Sequence, residues 1–422
     1  MKKSNRKGFT IVELVIVIAV IAILAAVLIP TFSNLIKKAN ESSDIQAVRQ
    51  MNTILAAEGA VEKNNIFDVF DALHESNLDA KDYKPLVSGT YFFWDDKADC
   101  IVYTDADYNV IFPKDYDKAN KGNWFSLTQT IEAKKPTDTN YADGVTVANG
   151  AELLYVLQDI EEKPTTAVIT IPAEGIDMMG ASFGIDDITS NVTIQGANGQ
   201  KAVIKNAIGV DVSYRGQGKT ADGDDGQYNT SLFPHVAAGT TLTIENVVFE
   251  NINVKNTHAS NVGLLVGGTN GTVIINNVEI NNATVIGHRN VGALIGNVNS
   301  NGKATIGNVT MKNVSVLTVG GRSAMLVGVI GNSEGKTALT INGSISLTNC
   351  KYDIYKCEQN ENGNGLKNGA ITSWAYDANN KPETGTYYFD DTALVSLNVS
   401  AVEGVKGSKL EDSFFGNYIT RN

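Results

Sequence analysis

The chain has 422 residues, more than one ordinary compact domain accommodates, so two or three structural units are expected. Hydrophobic residues make up 43% and charged residues 19%, which excludes a disordered chain. The net charge of −12 argues against a nucleic-acid binder, which would carry a basic balance or a basic face. The 39 glycines and 8 prolines exclude a collagen-like chain and favour a turn-rich β architecture.

The first thirty residues combine a basic start with a long apolar run. Four cations precede Gly8, and residues 14–29 contain no polar side chain. As a helix, residues 9–29 would measure about 31 Å, which matches the hydrocarbon core of a bilayer. A secretory signal or a plain membrane anchor would account for this run but not for Glu13. A carboxylate in an apolar span costs about 2–3 kcal/mol at the centre, so such a residue usually has a partner.

The stretch KGFTIVEL resembles the processing site of type IV prepilins and pseudopilins. The resemblance implies that a prepilin peptidase cuts after Gly8 and that the new terminus, Phe9, is methylated. It also implies that Glu13 neutralises the terminal amine of a neighbouring subunit and that Pro30 kinks the helix. The implied partners are the prepilin peptidase and methylase, other pilin subunits through the N-terminal helix, the membrane and an assembly platform.

Beyond the apolar run, helical spacing of apolar residues predicts one long helix over about residues 9–62, whose second half packs on a small head. Residues 66–76 are predicted to form a second helix. Three short strands are expected, at residues 90–94, 100–104 and 109–112. The aspartates between them are interpreted as turn residues and not as calcium ligands. Residues 63–132 would form a small α+β pilin-like head, followed by a linker over residues 133–144.

An internal repeat dominates the chain from residue 145 onwards. Twelve of the residues 251–300 are asparagine. Three successive units, evenly spaced, carry equivalent asparagine pairs: Asn246 and Asn251, Asn277 and Asn282, Asn308 and Asn313. Such a period, about 31 residues built from short strands, predicts a solenoid of about three strands per unit. The equivalent asparagines are expected to stack at the bends, where they form amide ladders and tolerate left-handed dihedrals.

Each unit also contains a glycine-bounded apolar segment, predicted as a strand at residues 262–267, 291–296 and 323–328. These repeats resemble right-handed parallel β-helices of the pectate-lyase type and the GLUG repeats of bacterial surface proteins, with a helix over residues 151–160 as the cap. The expected fold is multidomain: a leader over residues 1–8, the long helix and its α+β head, then an all-β right-handed parallel β-helix. The β-helix would span residues 145–350, and residues 351–422 would form further turns of it or a cap.

The carboxylates argue against an enzyme. Sugar hydrolases need two or three converging carboxylates, and lyases need calcium ligands and a base. No aspartate lies between Asp225 and Asp353, and the four glutamates there occupy no equivalent positions. No catalytic residue, metal site or cofactor is therefore predicted. Two questions stay open: calcium binding by Asp222, Asp224 and Asp225, and a disulfide between Cys350 and Cys357.

Three functions compete. The first is a minor pilin or tip adhesin that displays the β-helix to a carbohydrate or protein ligand. The others are a pseudopilin of a type II-like secretion or competence system and a membrane-tethered polysaccharide lyase or hydrolase. The first is preferred, because a head as large as residues 145–422 would crowd every subunit of a packed fibre. The chain would cross the cytoplasmic membrane once, with its head outside, and reach the cell surface or pilus after assembly. A ligand-facing patch would be sought at the tail aromatics, Trp374, Tyr376, Tyr387, Tyr388 and Phe389.

Overall fold

The fold is taken from a computed structural model, which describes most of the chain up to residue 354 and five short strands beyond it. The described residues are 11–57, 65–78, 81–210, 229–299, 301–318, 322–330, 339–354, 367–369, 372–375, 387–389, 395–399 and 420–421. Seven residues named above lie outside them: Gly8, Phe9, Asp222, Asp224, Asp225, Cys357 and Tyr376. One long apolar helix precedes a mostly β region, and this part of the predicted fold is confirmed.

Helix α1, Ile11–Ala57, is continuous and contains Pro30. Its N-terminal part exposes apolar side chains all round, from Ile11 to Ile36. It is the one helix among the described residues that is long and apolar enough to cross a membrane, judged by length and composition alone. Its C-terminal part buries one face at helical spacing, through Asp44, Val48, Met51 and Leu55. The N-terminal part of α1 is therefore uncovered, whereas its C-terminal part forms one side of a packed core.

The head that packs on α1 contains α2, Ile66–Glu75, and a four-stranded antiparallel sheet. A capping box fixes the start of α2, because Asn65 Oδ1 accepts from Phe67 N at 2.8 Å and Asp68 accepts from Asn65 N at 3.2 Å. The strands, in spatial order, are Val110–Phe112, Cys100–Thr104, Tyr91–Asp95 and Trp124–Ser126. The sequence predicts the first three. It does not predict the fourth, because so short a strand carries no period that could be counted.

Near the start of the β region, after its first strand, lies α3, Gly150–Glu162, whose N-cap is Asn149. The strands of the β region form four parallel sheets, named I to IV in the order in which each complete repeat visits them. Sheet I contains Val145–Thr146, Ala167–Ile171, Val192–Gly196, Thr241–Glu245, Thr272–Asn276, Lys303–Ile306, Leu339–Ile341, Tyr387–Phe389 and Thr420–Arg421. Sheet II contains Ile176–Asp177, Ala202–Lys205, Ile208–Val210, Val247–Glu250, Asn253–Asn256, Val278–Gly287, Val309–Thr318, Ile345–Ile354 and Val395–Val399.

Sheets III and IV are narrower. Sheet III contains Asn229–Thr230, Asn261–Gly263, Asn290–Gly292, Arg322–Ala324 and Lys367–Gly369. Sheet IV contains Asp187–Ile188, Phe233–Val236, Val266–Thr269, Ile295–Val298, Val327–Ile330 and Thr372–Ala375. Each repeat thus contributes to four sheets, where the sequence predicts about three strands.

The glycine-bounded segments explain this difference. The prediction of single strands over residues 262–267, 291–296 and 323–328 is wrong, because each segment is divided between a strand of sheet III and a strand of sheet IV. The chain leaves sheet III after Gly263 and enters sheet IV at Val266, with a corner between them. A Cβ at Gly263 would collide with the carbonyl oxygen of Val266, and one at Gly292 with that of Ile295. Only glycine fits so sharp a corner.

The strands pair at uneven distances along the sequence. In sheets I and II, Thr241 pairs with Thr272 and Val278 with Val309, which is the period of the asparagine repeat. In sheet III, Asn261 pairs with Asn290 after a slightly shorter interval. Elsewhere the interval is much longer, as between Ala202 and Val247. Corners between strands absorb the differences in length, so the strands keep their register.

A continuous apolar core fills the β region and includes Phe249, which is fully buried. The same core contains Phe93 and Trp124 from one face of the head sheet. A second core joins α1, α2 and the other face of that sheet, and it takes in Ile208 and Ile286 from sheet II. Cys350 is also fully buried, and its Sγ lies 3.6 Å from the Met311 carbonyl. The head and the β region therefore share both cores.

Candidate functional site

The N-terminal part of α1 is the first candidate site. Glu13 lies in the first turn of the described helix, on an exposed position among exposed apolar side chains. A helix that is apolar on every side needs lipid or other helices around it. A carboxylate in the first turn also interacts favourably with the helix dipole. Pro30 removes one backbone hydrogen bond from the helix interior, and the neighbouring Thr31 hydroxyl donates to the Val27 carbonyl at 2.9 Å.

The second part of α1 is fixed to the head by a buried carboxylate. Asp44 is 2% exposed, and its oxygens accept from Leu86 N at 2.8 Å, Val87 N at 3.1 Å and Tyr103 Oη at 3.2 Å. Three donors compensate the desolvation of the charge. Burial raises the pKa of Tyr103 to about 12, and the nearby charge of Asp44 adds to the effect. The sequence analysis does not find this joint, although a polar residue on the apolar face of an amphipathic helix is a signal that could reveal it.

An amide makes a further joint. Asn52 Nδ2 donates to the Ile101 carbonyl at 2.9 Å, and its Oδ1 accepts from Ile101 N at 2.6 Å. The Asn52 side chain thus makes the two backbone hydrogen bonds with Ile101 that a neighbouring strand would otherwise make. Asn52 and Asp44 together fix the orientation of α1 relative to the head.

Asp95 shows what the aspartates of the head do. It is fully buried, and its carboxylate accepts from Ala98 N at 2.8 Å, Trp124 Nε1 at 2.9 Å and the Tyr116 hydroxyl at 2.5 Å. The bond from Ala98 N belongs to the hairpin turn, which agrees with the turn interpretation, whereas the bond from Trp124 joins Asp95 to the fourth strand, which the sequence does not predict. Among the described residues, no group of three or more His, Cys, Asp or Glu side chains is arranged to hold a metal ion.

The head and sheet II meet at an ion pair. Lys255 Nζ lies 2.6 Å from Asp71 Oδ1, and both side chains are largely buried. The same ammonium lies 5.6 Å from the centre of the Phe67 ring on α2. Because Ile286 on the neighbouring strand belongs to the core of the head, the contact is apolar around the ion pair. These contacts fix the position of the β region relative to α2.

The repeat asparagines lie at bends in sheet II or next to it. Five of the six predicted residues have positive φ angles of 52–57°: Asn246, Asn251, Asn277, Asn282 and Asn313. Their amides bond from one repeat to the next, as in Asn277 to Asn246 at 2.7 Å and Asn313 to Asn282 at 2.8 Å.

Asn308 departs from this pattern, because its φ is not positive and its Oδ1 accepts from the backbone and hydroxyl of Ser344, each at 3.0 Å. A second ladder, which the sequence analysis does not find, runs through sheet III. Asn261 donates to Asn229 at 2.8 Å and Asn290 donates to Asn261 at 2.7 Å. The recurring Asn-Val-Gly triplet at 261 and 290 is the signal that could reveal it.

Comparison with known proteins concerns the N-terminal segment. Residues 3–29 match the prokaryotic N-terminal methylation motif. The type IV major fimbrial protein FimA of Dichelobacter nodosus is 45% identical over 53 residues, 13% of this chain and 34% of FimA. The type IV wide pilus major component PilA4 of Thermus thermophilus is 63% identical over 38 residues, 9% of this chain and 29% of PilA4.

The chain therefore spans only about a third of the length of these relatives. No solved structure matches it. The exposed apolar helix, the methylation motif and the pilin relatives fit anchoring in a membrane and a location on the pilus surface. They support a pilin-type surface subunit.

Proposed function

We propose that the chain is a minor pilin or tip adhesin, cut after Gly8, methylated at Phe9 and assembled through α1. The observation that carries the proposal is the change of environment along one continuous helix. Up to Ile36 its apolar side chains are uncovered, and from Asp44 it is built into the head. Because the exposed N-terminal part of α1 takes no part in the packing of the head, it can move from a bilayer into a fibre while the head stays unchanged.

Glu13 gives the assembly its register in this proposal. In a bundle of apolar helices, a carboxylate is stable only beside a positive charge. The amine that cleavage creates at Phe9 is such a charge, and it lies four residues before the carboxylate in the sequence. A neighbouring subunit displaced along the fibre axis brings its amine to Glu13, so that the pair selects one axial offset.

The displayed part is proposed to be a parallel β-helix over residues 145–350, with residues 351–422 continuing or capping it. Support comes from four parallel sheets visited in the same order in successive repeats, and from the amide ladders between repeats. A right-handed course is expected for parallel strands joined by crossovers. A leader at residues 1–8, a head at 63–132 and a linker at 133–144 complete the proposed division of the chain.

A non-catalytic role for the β region is part of the proposal. Glu279 on sheet II is bonded to Lys312 at 3.0 Å and lies 3.5 Å from Lys201, so its carboxylate is neutralised within the protein. Burial alone would raise the pKa of Glu279, but the bond from Lys312 and the two nearby ammonium groups outweigh it and hold the pKa below its usual range. A carboxylate held as an anion in this way is a poor general acid. A pseudopilin is the second candidate, since it would have the same N-terminal segment.

The test is the N-terminus of the chain in its own cells. Mass spectrometry of the chain should show the loss of residues 1–8 and one added methyl group on Phe9. Deletion of the prepilin peptidase, or the substitution Gly8→Val, should leave the leader in place. Ser4→Val is the matched control, because it changes the leader without touching the cleaved bond. An intact leader in cells that contain the peptidase would refute the proposal.

A further inference from the structure

Sheet I has an outward face with an unusual composition. Along each strand, side chains alternate between fully buried and half-buried, as with buried Leu242 and Ile244 beside half-buried Thr241 and Thr243. The half-buried positions point away from the core. Backbone register aligns six of them from strand to strand in one column: Val168, Thr193, Thr243, Ile274, Thr305 and Thr340. At about 4.8 Å per strand, the column is about 24 Å long.

The positions beside this column are mostly uncharged as well. Over the six strands, the flanking outward residues are Thr170, Gln195, Thr241, Glu245, Thr272, Asn276 and Lys303. Only two of these carry a charge, in a protein whose net charge is −12. Sheet II differs, because its outward face carries ion pairs such as Lys312 with Glu279 at 3.0 Å and Lys205 with Asp177 at 3.3 Å.

Threonine in such a column is already ordered for binding. Its β-branched side chain has restricted rotamers, so little conformational entropy is lost when its hydroxyl is engaged. The hydroxyl both donates and accepts hydrogen bonds, while the methyl group offers a small apolar surface. A rigid row of such groups binds through many weak contacts, and their energies add when the partner repeats with a compatible spacing.

The chemistry of the face selects the partner. Nucleic acids and anionic polymers require lysine and arginine, and only Lys303 is cationic on these strands. Protein interfaces centre on aromatic residues and arginine, which the six strands do not place outward. A neutral polymer that carries hydroxyl groups at regular intervals matches both the absence of charge and the repeat. By backbone register, Thr340 pairs with Tyr388, one of the tail aromatics.

We propose that the outward face of sheet I, centred on Thr193, Thr243 and Thr305, binds ordered neutral polysaccharide. The inference deepens the proposed function, since it assumes that the β region is displayed outside the cell. It names a ligand class and a surface for the display head. The surface is a flat array and not a pocket, so it would recognise the packed face of a polymer and not a single sugar.

The test uses the purified full chain in detergent, sedimented with microcrystalline cellulose and with insoluble chitin. We expect binding to at least one of them, and at least tenfold weaker binding to beads of polygalacturonate, an anionic polymer. The double variant Thr243→Lys/Thr305→Lys should lower the affinity at least tenfold, because it places two charges in the column. Thr243→Val/Thr305→Val should lower it less, since only the hydroxyls are removed.

Thr310→Lys is the matched control, because Thr310 is a half-buried outward threonine on sheet II. Thermal unfolding of each variant checks that the fold is retained. Failure to bind either neutral polysaccharide, or equal loss of binding in Thr310→Lys, would overturn the inference. Concentration-dependent self-association that the double lysine variant abolishes would also overturn it, by assigning the face to a second copy of the chain. Cleavage after Gly8 is measured separately, so the proposed function can stand when this inference fails.

Discussion

Replacing Asp44 by alanine should destabilise the head by several kcal/mol. The carboxylate is 2% exposed and accepts from two backbone amides, Leu86 N and Val87 N, and from the Tyr103 hydroxyl. A buried donor that loses its acceptor costs about 1–3 kcal/mol. The two amides alone therefore predict a loss of about 2–6 kcal/mol in the free energy of unfolding. Small domains are stable by only about 5–15 kcal/mol, so this loss would be large.

The assay is urea unfolding of the full chain in detergent, followed by tryptophan fluorescence. Trp94 and Trp124 are both buried in the head, so their emission reports on its packing. Ser43→Ala is the matched control, since Ser43 is exposed on the same turn of α1. Asp44→Asn keeps one acceptor oxygen and should lose about half as much as alanine. A loss below about 1 kcal/mol for Asp44→Ala would refute the reasoning, because it would show that the donors find other partners.

Three further predictions concern the ladder, the alkaline limit and assembly. Asn282→Ala should cost about 1–2 kcal/mol in urea unfolding, because alanine disfavours the φ of 54° and the bond from Asn313 is lost; Asn282→Gly should cost less, and equal losses would contradict the backbone argument. The raised pKa values of Tyr103 and Tyr108, each about 12, mean that the unfolded chain loses these protons first. Stability should therefore be complete below about pH 10 and decline between about pH 10 and 12, which urea unfolding across that range measures, and a flat profile would contradict it. Glu13→Gln should leave the chain in the membrane but exclude it from sheared surface fibres, as immunoblots of the two fractions would show; normal incorporation would contradict the role of the charge.

Local signals make some features predictable from sequence. The motif KGFTIVEL is contiguous, so its chemistry can be read without knowing the fold. Helix α3 follows Asn149, a cap residue directly before an amphipathic run. The repeat period is visible because two successive units have equal length, and the pairing of Val278 with Val309 has that period.

Other features depend on partners that are distant in sequence. The donors to Asp44 lie 42, 43 and 59 residues further on, so the sequence shows only one polar residue in an apolar pattern. The column on sheet I is hidden for the same reason, because Thr193 pairs with Thr243 across a long insertion. The corner at Gly263 is visible only when the Val266 carbonyl is known to occupy the space of a side chain.

The uneven spacing of paired strands affects how such a chain can diversify. Neighbouring strands keep their register across intervals of unequal length, as in Asn261 with Asn290, Val278 with Val309, and Ala202 with Val247. Closing a longer loop adds only about 0.6 kcal/mol for each doubling of its length. Insertions at the corners therefore change the free energy of unfolding only slightly. A single residue inserted within a strand would instead move every side chain after it to the opposite face of the sheet. The loops at the corners between strands can therefore change rapidly during evolution while the faces of the sheets stay the same.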